Sequence, residues 1–274
     1  MTEIFHVEKF FKAIVVNRPS KIIKSPYLAD IKLFNENNEI IDENHIAHSP
    51  ALGCCGLIVK DTIVYLVKSD NENRKSKYTI YNVEIKNPNI IIGVNPNIAN
   101  NIFQNIIEKN LLEFDFLNNK SIIKREKKIF DSRIDFLLEF EDKKIYIEIK
   151  NVPLADFVDV DKKERKNYKN EDYNEYEKIS IFPDGYRKKT TDLISPRAYK
   201  HLDDLIKINE LENHYSYIIY IIQRHDIKFF KPTIIDEQYN KKFYEAKEKN
   251  VKIIPIVVKW IDNKLYFDKI VKIL

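Results

Sequence analysis

Hydrophobic and polar residues alternate in short runs along the first part of the chain, from Tyr27 to about Ile92. The runs YLADIKLF, LIVKDTIVYLVK, YTIYNVEI and IIIGV are separated by polar turns such as NENNEI and SDNENRKSK. Alternation with a period of two is typical of strands that bury one face, and short, evenly spaced strands form small antiparallel barrels or sandwiches. We therefore predict a small β-barrel domain over residues 1–94.

The period changes at Pro96, where apolar residues begin to recur at helical spacing. Ile98 and Ile102 would share one face of a helix. Asn95 stands where a capping residue is expected, and proline is favoured in the first helical turn. We place the domain boundary here, so that the second domain covers residues 95–274.

The second domain alternates helical and strand patterns. Helices are predicted around RAYKHLDDLIKI and EQYNKKFYEAKEKN, and strands at YSYIIYIIQR, at VKIIPIVVKWI and near the C-terminal end. The run YSYIIYIIQR is apolar on both faces, which is typical of a central strand covered on each side. The order predicts an α+β fold in which helices flank a central mixed sheet. Residues 159–178 are charged and nearly free of aliphatic side chains, and we predict a mobile insertion there.

Residues 132–151, SRIDFLLEFEDKKIYIEIKN, have the pattern of a β-hairpin. A turn centred between Asp142 and Lys143 would place Asp135 opposite Lys150 and diagonal to Glu148. One face is predicted to be wholly apolar and to face the core; it carries Ile134, Phe136, Leu138, Phe140, Ile145, Ile147 and Ile149. The other face carries Arg133, Asp135, Leu137, Glu139, Tyr146, Glu148 and Lys150.

The charged face of this hairpin has two interpretations. Carboxylates on diagonal positions can reach one metal ion, and hard oxygen ligands suit Mg²⁺ or Mn²⁺. A neighbouring lysine could then orient a water or stabilise charge on a phosphate. Alternatively, the face is merely solvated, because an Asp followed by Glu-X-Lys arises often by chance in a sequence that is 32% charged.

Composition sets limits on the possible functions. The chain has 46 basic and 42 acidic residues, a net charge of +4, so a nucleic-acid partner must be argued from local patches. Adjacent Cys54 and Cys55 give neither a disulfide framework nor spaced metal ligands. No glycine-rich loop for a nucleotide cofactor is present. The absence of a secretory signal pattern and of a run of about 20 apolar residues predicts a cytoplasmic or otherwise intracellular protein.

Several short motifs, in order along most of the chain, resemble the sugar fermentation stimulation protein (SfsA) family. The strongest are GVNPNIAN (93–100), SRIDFLL (132–138), YIEIKNVPLA (146–155), FPD (182–184) and RAYKHLDDL (197–205). YLAD, HSPALG and SDNENRK support the first half. The resemblance implies an OB-type barrel followed by a PD-(D/E)XK nuclease-like domain.

By that resemblance Asp135 and Glu148 are the metal-binding acidic pair, and Lys150 completes the catalytic set. Asn105 stands where a further glutamate is expected, so Glu126 or Glu108 would have to supply any third carboxylate. The family is known for sequence-tolerant DNA binding and for an association with the regulation of sugar metabolism.

Several other residues are candidates for contact with a nucleic acid. Arg197, Lys200 and His201 fall at i, i+3 and i+4 and would share one helix face, where they could hold a phosphate or form an ordinary solvated face. Further candidates for nucleic-acid contact are Arg74 and Lys75 in a barrel loop and Arg133 on the hairpin. Candidates for lining the site are Asp184, in the FPD motif, and Gln223, at a strand end.

Two functions from different classes fit these residues. One is a Mg²⁺-dependent nuclease that hydrolyses phosphodiester bonds. The other is a DNA-binding or regulatory protein that keeps the nuclease-like fold without turnover. Loss of cleavage in Glu148→Gln would support the first function, whereas salt-dependent, sequence-tolerant binding without products would support the second.

Overall fold

The computed structural model describes residues 1–51, 56–86, 89–112, 122–165, 167–168, 173–174, 176–185, 187 and 189–274. Cys54 and Cys55 lie outside this part of the chain. The strands are β1 (Thr2–His6), β2 (Phe11–Asn17), β3 (Leu28–Phe34), β4 (Ile40–His48), β5 (Ile63–Lys68), β6 (Tyr78–Lys86), β7 (Asn89–Gly93), β8 (Ile122–Ile129), β9 (Ser132–Phe140), β10 (Lys143–Asn151), β11 (Ala155–Asp156), β12 (Lys178–Phe182), β13 (His214–Ile222), β14 (Ile227–Pro232), β15 (Lys252–Ile261), β16 (Lys264–Ile270) and β17 (Lys272–Ile273). The helices are α1 (Ala99–Glu108), α2 (Lys162–Arg165), α3 (Pro196–Asn209) and α4 (Glu237–Glu248), and a 3-10 turn (Pro96–Ile98) precedes α1.

The N-terminal half forms a closed antiparallel barrel of five strands. The sheet order is β4-β3-β2-β5-β6-β7, and a parallel pairing between β4 and β6 closes the ring. Alternate residues of these strands point inward, and small and β-branched side chains such as Ala13, Val15 and Ile31 fill the interior. The barrel predicted from the period-two pattern is confirmed.

The second half is built on a seven-stranded mixed sheet of order β1-β16-β15-β13-β10-β9-β8. The central strand β13 runs parallel to both β10 and β15. Its side chains are buried alternately in the two cores, Ile219 and Ile221 on the α1 side and Ile218, Tyr220 and Ile222 on the side of α3 and α4. The α+β fold and the central position of YSYIIYIIQR are thus confirmed.

The helix predicted after Pro96 is also present. The Asn95 side chain accepts a hydrogen bond from the backbone N–H of Asn97 (3.0 Å) and caps the 3-10 turn that leads into α1. One face of α1 packs on the sheet through residues that include Ile102 and Phe103. None of the helices that the structure describes is long and apolar enough to cross a membrane.

The first strand of the chain lies in the predicted first domain, residues 1–94, but it pairs with a strand of the predicted second domain, residues 95–274. Strand β1 does not join the barrel; it pairs antiparallel with β16 at the edge of the seven-stranded sheet, with Thr2 opposite Phe267. Sequence patterns within the first domain could not reveal this pairing because its partner lies near the other end of the chain. Residues 2–6 therefore belong structurally to the second half.

A small sheet of order β11-β12-β14-β17 lies outside the main sheet, and its strand β12 begins at Lys178, the last residue of the predicted insertion at residues 159–178. Asp159 is buried and accepts hydrogen bonds from the Thr233 hydroxyl and the Ile234 N–H, both at 2.8 Å. Lys178 starts β12 and pairs with buried Asp226 at 3.3 Å. Both ends of the segment are therefore anchored, while residues 166, 169–172 and 175 lie outside the described part.

Candidate active site at the β9–β10 hairpin

The hairpin that carries the acidic residues has a different register from the predicted one. Phe140 pairs with Lys143 and Phe136 with Ile147, so the strands are shifted by two residues and the predicted pairing of Asp135 with Lys150 is wrong. A two-residue turn causes the shift, with Glu141 in the left-handed conformation at φ 53°. A shift of two residues keeps each side chain on its face, so the alternation of the two faces survives.

The two strands β8 and β9 change faces at the level of Asp135. Their ladder pairs Arg125 with Phe136 and Lys127 with Ile134 but skips Glu126 and Asp135 between them. Glu126 is left-handed, with φ 52°. Before this break Phe136 packs on the α1 side of the sheet, whereas Ile134 packs on the α3 side. Ile134 is therefore buried as predicted, but it packs on the opposite side of the sheet from the other apolar residues.

The break brings the Asp135 carboxylate between β10 and α1. One oxygen accepts a hydrogen bond from the Ile149 N–H (2.8 Å) and the other from the side-chain amide of Asn100 (2.9 Å). Burial and the negative charge of Glu148 raise the pKa of Asp135, against the effect of these hydrogen bonds and of Lys150. Asp135 and Glu148 thus interact electrostatically, and a cation near both would relieve the repulsion.

Glu148 is almost fully buried, with 2% of its surface exposed. Its Oε1 is bound by Lys150 Nζ at 2.5 Å and by the Nδ1 of His201. Burial opposes ionisation, but Lys150 and His201 outweigh it and lower the pKa of Glu148. The other oxygen, Oε2, is buried and has no hydrogen-bond partner in the described part of the chain.

Helix α3 contributes His201 to this cluster, and His201 contacts both Glu148 and the Lys150 ammonium, the latter at 3.1 Å. Arg197, one turn earlier, lies with its Nε 3.5 Å from the Nε2 of His201 and is itself exposed. Lys200 points elsewhere, to the Ser132 hydroxyl (2.7 Å) and to Asp204 (2.9 Å). Of the three helix residues predicted to act together, His201 contacts Glu148, and Arg197 reaches the cluster only through His201.

The two predicted third carboxylates have partners of their own. Exposed Glu126 pairs with exposed Arg133 at 3.0 Å. Glu108 ends α1, eight residues beyond Asn100 and so about 12 Å along the helix axis, where it accepts from Gln104.

The residues of α1 near the site are amides. Asn105, where a glutamate was expected, donates to the backbone carbonyl of Ile4 at 2.6 Å. Asn100, which no sequence motif singled out as a site residue, instead contacts Asp135. The capping signal at Asn95 already implied that Asn100 would lie in the first turn of α1, at the end of the helix close to the hairpin.

The remaining predicted residues differ in exposure and in their contacts. Arg74 and Lys75 are exposed in the loop between β5 and β6, where Arg74 lies 3.4 Å from His48. Asp184 is exposed after β12. Gln223 is fully buried, and it donates to Asn151 (2.7 Å) and accepts from the Trp260 indole (3.2 Å). The sequence suggested that Gln223 lines the site. In the structure its side chain is buried and joins the end of β13 to Asn151 and Trp260.

The donor atoms at Asp135 and Glu148 suit a divalent cation, although no group of three or more His, Cys, Asp and Glu residues in the described part of the chain forms a complete site. The Glu148 Oε2 atom is buried without a partner, and both carboxylates offer the hard oxygen ligands that Mg²⁺, Mn²⁺ and Ca²⁺ prefer. Mg²⁺ in particular is commonly held by one or two carboxylates with waters completing its shell. The two acidic residues therefore fit such an ion.

The fold thus defines a two-part protein in which a five-stranded barrel is joined to an α+β domain, and the mixed sheet of that domain carries Asp135, Glu148 and Lys150. Residues 97–264 match the family model described as the sugar fermentation stimulation protein RE domain. The chain belongs to the sugar fermentation stimulation protein (SfsA) family, and the resemblance inferred from its motifs is confirmed.

Relatives match over most of their length. The chain is 30% identical over 270 residues to the sugar fermentation stimulation protein homolog of Pelagibacter ubique, covering 97% of this chain and 99% of the relative. It is 26% identical over 239 residues to the homolog of Desulfitobacterium hafniense strain DCB-2, covering 86% and 89% of the two chains. A solved structure of Pyrococcus furiosus SfsA in complex with Ca²⁺ is similar over the whole of both chains, with 19% identity and a TM-score of 0.75, and has the same fold.

Proposed function

We propose that this protein binds nucleic acid, most simply DNA, and hydrolyses phosphodiester bonds with Mg²⁺ or Mn²⁺ at Asp135 and Glu148. The observation that carries the proposal is that buried Glu148 is held ionised and has one carboxylate oxygen without a partner among the described residues. Lys150 and His201 favour its ionised form through Oε1, while the buried Oε2 has no partner among the described residues. A buried polar atom without a partner costs about 1–3 kcal/mol, a cost that a bound cation would remove.

Each residue of the site would have a distinct role. Asp135 and Glu148 would hold the ion, and Asn100 would orient Asp135 through its amide. Lys150, held between Glu148 and His201, would donate a hydrogen bond to the attacking water or to the phosphate. Arg197, exposed beside His201, would bind a phosphate oxygen. When bound, the ion would act as a Lewis acid and lower the pKa of a water.

Two comparisons support a divalent ion and a role in the cell. The Pyrococcus furiosus protein of the same fold was solved with Ca²⁺, which prefers the same oxygen ligands as Mg²⁺. The curated relatives are described as sugar fermentation stimulation protein homologs. We therefore extend the proposal to a link with the regulation of sugar metabolism.

A cleavage assay tests this proposal. Labelled single- and double-stranded DNA and RNA would be incubated with the purified protein in Mg²⁺, Mn²⁺ or chelator. We expect metal-dependent products from the native chain and none from Glu148→Gln or Lys150→Ala, with Lys247→Gln on the exposed end of α4 as an active control. Products that persist in Glu148→Gln, or in chelator, would contradict the assignment.

A second function, sequence-tolerant binding without turnover, is favoured by one specific feature. The start of α1 presents the amide of Asn100 to Asp135, and the expected glutamate is Asn105, whose side chain is engaged by Ile4. The site thus has two carboxylates where a nuclease could need three. Salt-dependent binding with no products under any metal would support this function over the first.

A further inference from the structure

We propose that the β8 edge of the seven-stranded sheet binds the sugar–phosphate backbone of the nucleic acid and leads it to Asp135 and Glu148. We call the surface formed by Arg125, Lys127, Lys128 and Arg133 the basic edge. This inference rests on the proposed function, because it assigns a path for the substrate of that same site.

The basic edge carries more positive than negative charge. Strand β8 has the sequence IIKREKKI, and most of its residues are exposed. Of its four cations, Lys124 is paired with Glu139, and the carboxylate of Glu126 is taken by Arg133. Lys128 lies directly opposite Arg133 in the ladder, an arrangement of like charges that destabilises a sheet. A line of phosphates would relieve this repulsion.

The register places these cations at the level of the acidic pair. Arg125 and Lys127 lie opposite Phe136 and Ile134, the two neighbours of Asp135. Adjacent strands are about 4.8 Å apart, so the backbone of β8 runs one strand away from that of Asp135. Because β8 and β9 change faces here, Arg125 lies on the α1 side and Lys127 on the side of α3, and the two cations flank the site.

Lysines on an edge strand can also serve only to prevent aggregation, but that role does not explain the neighbouring pocket. A polar cavity of about 340 Å³ lies between β8 and α1 and is lined by Phe5, Asn101, Gln104, Asn105 and Arg125. Arg125 packs over the Phe136 ring at 5.4 Å and donates to Asn101 at 3.1 Å, so its guanidinium is held at the rim. Amides and guanidinium groups in a concave site are suited to phosphates and base edges.

The test measures binding separately from cleavage. Lys127→Gln/Lys128→Gln would be made in the Glu148→Gln background, and binding of a labelled DNA duplex would be followed by fluorescence anisotropy over a range of salt. The matched control is Lys247→Gln/Lys249→Gln, which removes the same charge from two exposed lysines, one in the last turn of α4 and one directly after it. Lys127→Arg/Lys128→Arg keeps the charge and checks that the strand still folds.

We expect weaker binding from the glutamine variant of the basic edge, with the slope of log affinity against log salt smaller by about 0.9 for each phosphate that the variant no longer neutralises. The arginine variant and the α4 control should bind like their parent. An equal effect in the α4 control, unchanged affinity in the edge variant, or no binding by the parent would overturn the inference. Failure of the proposed function appears differently, as an absence of metal-dependent products while the binding result stands.

Discussion

Glu148 and His201 are 53 residues apart in the chain and are joined through one carboxylate oxygen and one imidazole nitrogen. Strand β10 supplies the first residue and helix α3 the second, so packing of the helix on the sheet sets the ionisation of the acidic site. Lys150 shares the same oxygen. Glu148 and His201 are thus a buried pair, 2% and 4% exposed, so the Glu148 carboxylate is not part of a merely solvated strand face.

Substitution of His201 should change the pH dependence of cleavage. Lys150 and His201 lower the pKa of Glu148 against the effect of burial. In His201→Phe the pKa of Glu148 should rise. As the pH is lowered, Glu148 in this variant should therefore be protonated, and activity lost, at a higher pH than in the native chain. A hydrogen bond to a charged group is worth about 1.5–3 kcal/mol, so we expect the acid limb of the kcat/KM profile to move up by about one pH unit or more.

The matched variant for this measurement is His201→Gln, which keeps a hydrogen-bond donor and should shift the acid limb less. A uniform fall in kcat/KM with the acid limb unmoved in both variants would mean that His201 supports only the fold. That outcome would remove its role in positioning Glu148.

Binding of a divalent ion should depend on pH through Asp135. Its pKa is raised by burial and by Glu148, so the carboxyl takes up a proton at a higher pH than an ordinary aspartate. An ion must displace that proton, and the Kd for Mn²⁺ should therefore increase as the pH falls through the pKa of Asp135. Calorimetric titration at several pH values would measure this dependence.

Two variants separate the roles of Asp135 and its partner in this titration. Asp135→Asn should bind Mn²⁺ weakly and lose this part of the pH dependence, because it cannot ionise. Asn100→Ala should keep the dependence while weakening binding by about 10–100-fold, the usual effect of removing a group that orients a metal ligand. Native affinity in Asp135→Asn would exclude that carboxylate as a ligand.

The sequence predicted the features that local chemistry decides. Asn95 caps the turn before α1 because its side chain reaches an N–H two residues away, and β13 is central because both of its faces are apolar. The hairpin register was missed because a left-handed Glu141 sets the turn. The contact of Asn100 with Asp135 and the pairing of β1 with β16 join residues far apart in the chain, and no local pattern encodes them.

Asp226 should contribute to stability in a pH-dependent way. It is fully buried and is bound by Arg224 through two contacts of 2.6 Å, with Lys178 nearby. Burial alone would raise the pKa of Asp226, but Arg224 and Lys178 outweigh burial and lower it. A lowered pKa in the folded state means that this stabilisation is present at neutral pH and is lost as the pH falls towards that pKa.

Asp226→Ala would leave Arg224 buried without its partner and should lower the free energy of unfolding by about 3–5 kcal/mol at neutral pH. Urea unfolding at neutral and acidic pH would measure this destabilisation, which should shrink in acid. Lys228→Met removes an exposed ion pair with Glu177 and should have a much smaller effect. Equal effects of the two substitutions would contradict a structural role for the buried pair.

The contact between Gly93 and Gln223 should tolerate no added side chain. A Cβ on Gly93 would lie 2.0 Å from Oε1 and 2.7 Å from Cβ of Gln223. The glutamine cannot move away freely, because it is fully buried and bonded to Asn151 and Trp260. The Gly93 N–H also donates to the Gln223 carbonyl at 2.8 Å, which joins the last strand of the barrel half to the end of β13.

We therefore expect Gly93→Ala to lower the free energy of unfolding by about 1–3 kcal/mol, the usual cost of overpacking a buried site. Gly185→Ala is the matched control, because its nearest contact would be the γ-methyl group of Ile194 at 3.2 Å and little needs to move. Gln223 also bonds Asn151, next to Lys150, so Gly93→Ala should reduce metal-dependent cleavage even under conditions where the protein stays folded. Reduced stability with unchanged cleavage would show that the link between the two halves supports the fold but does not position Lys150.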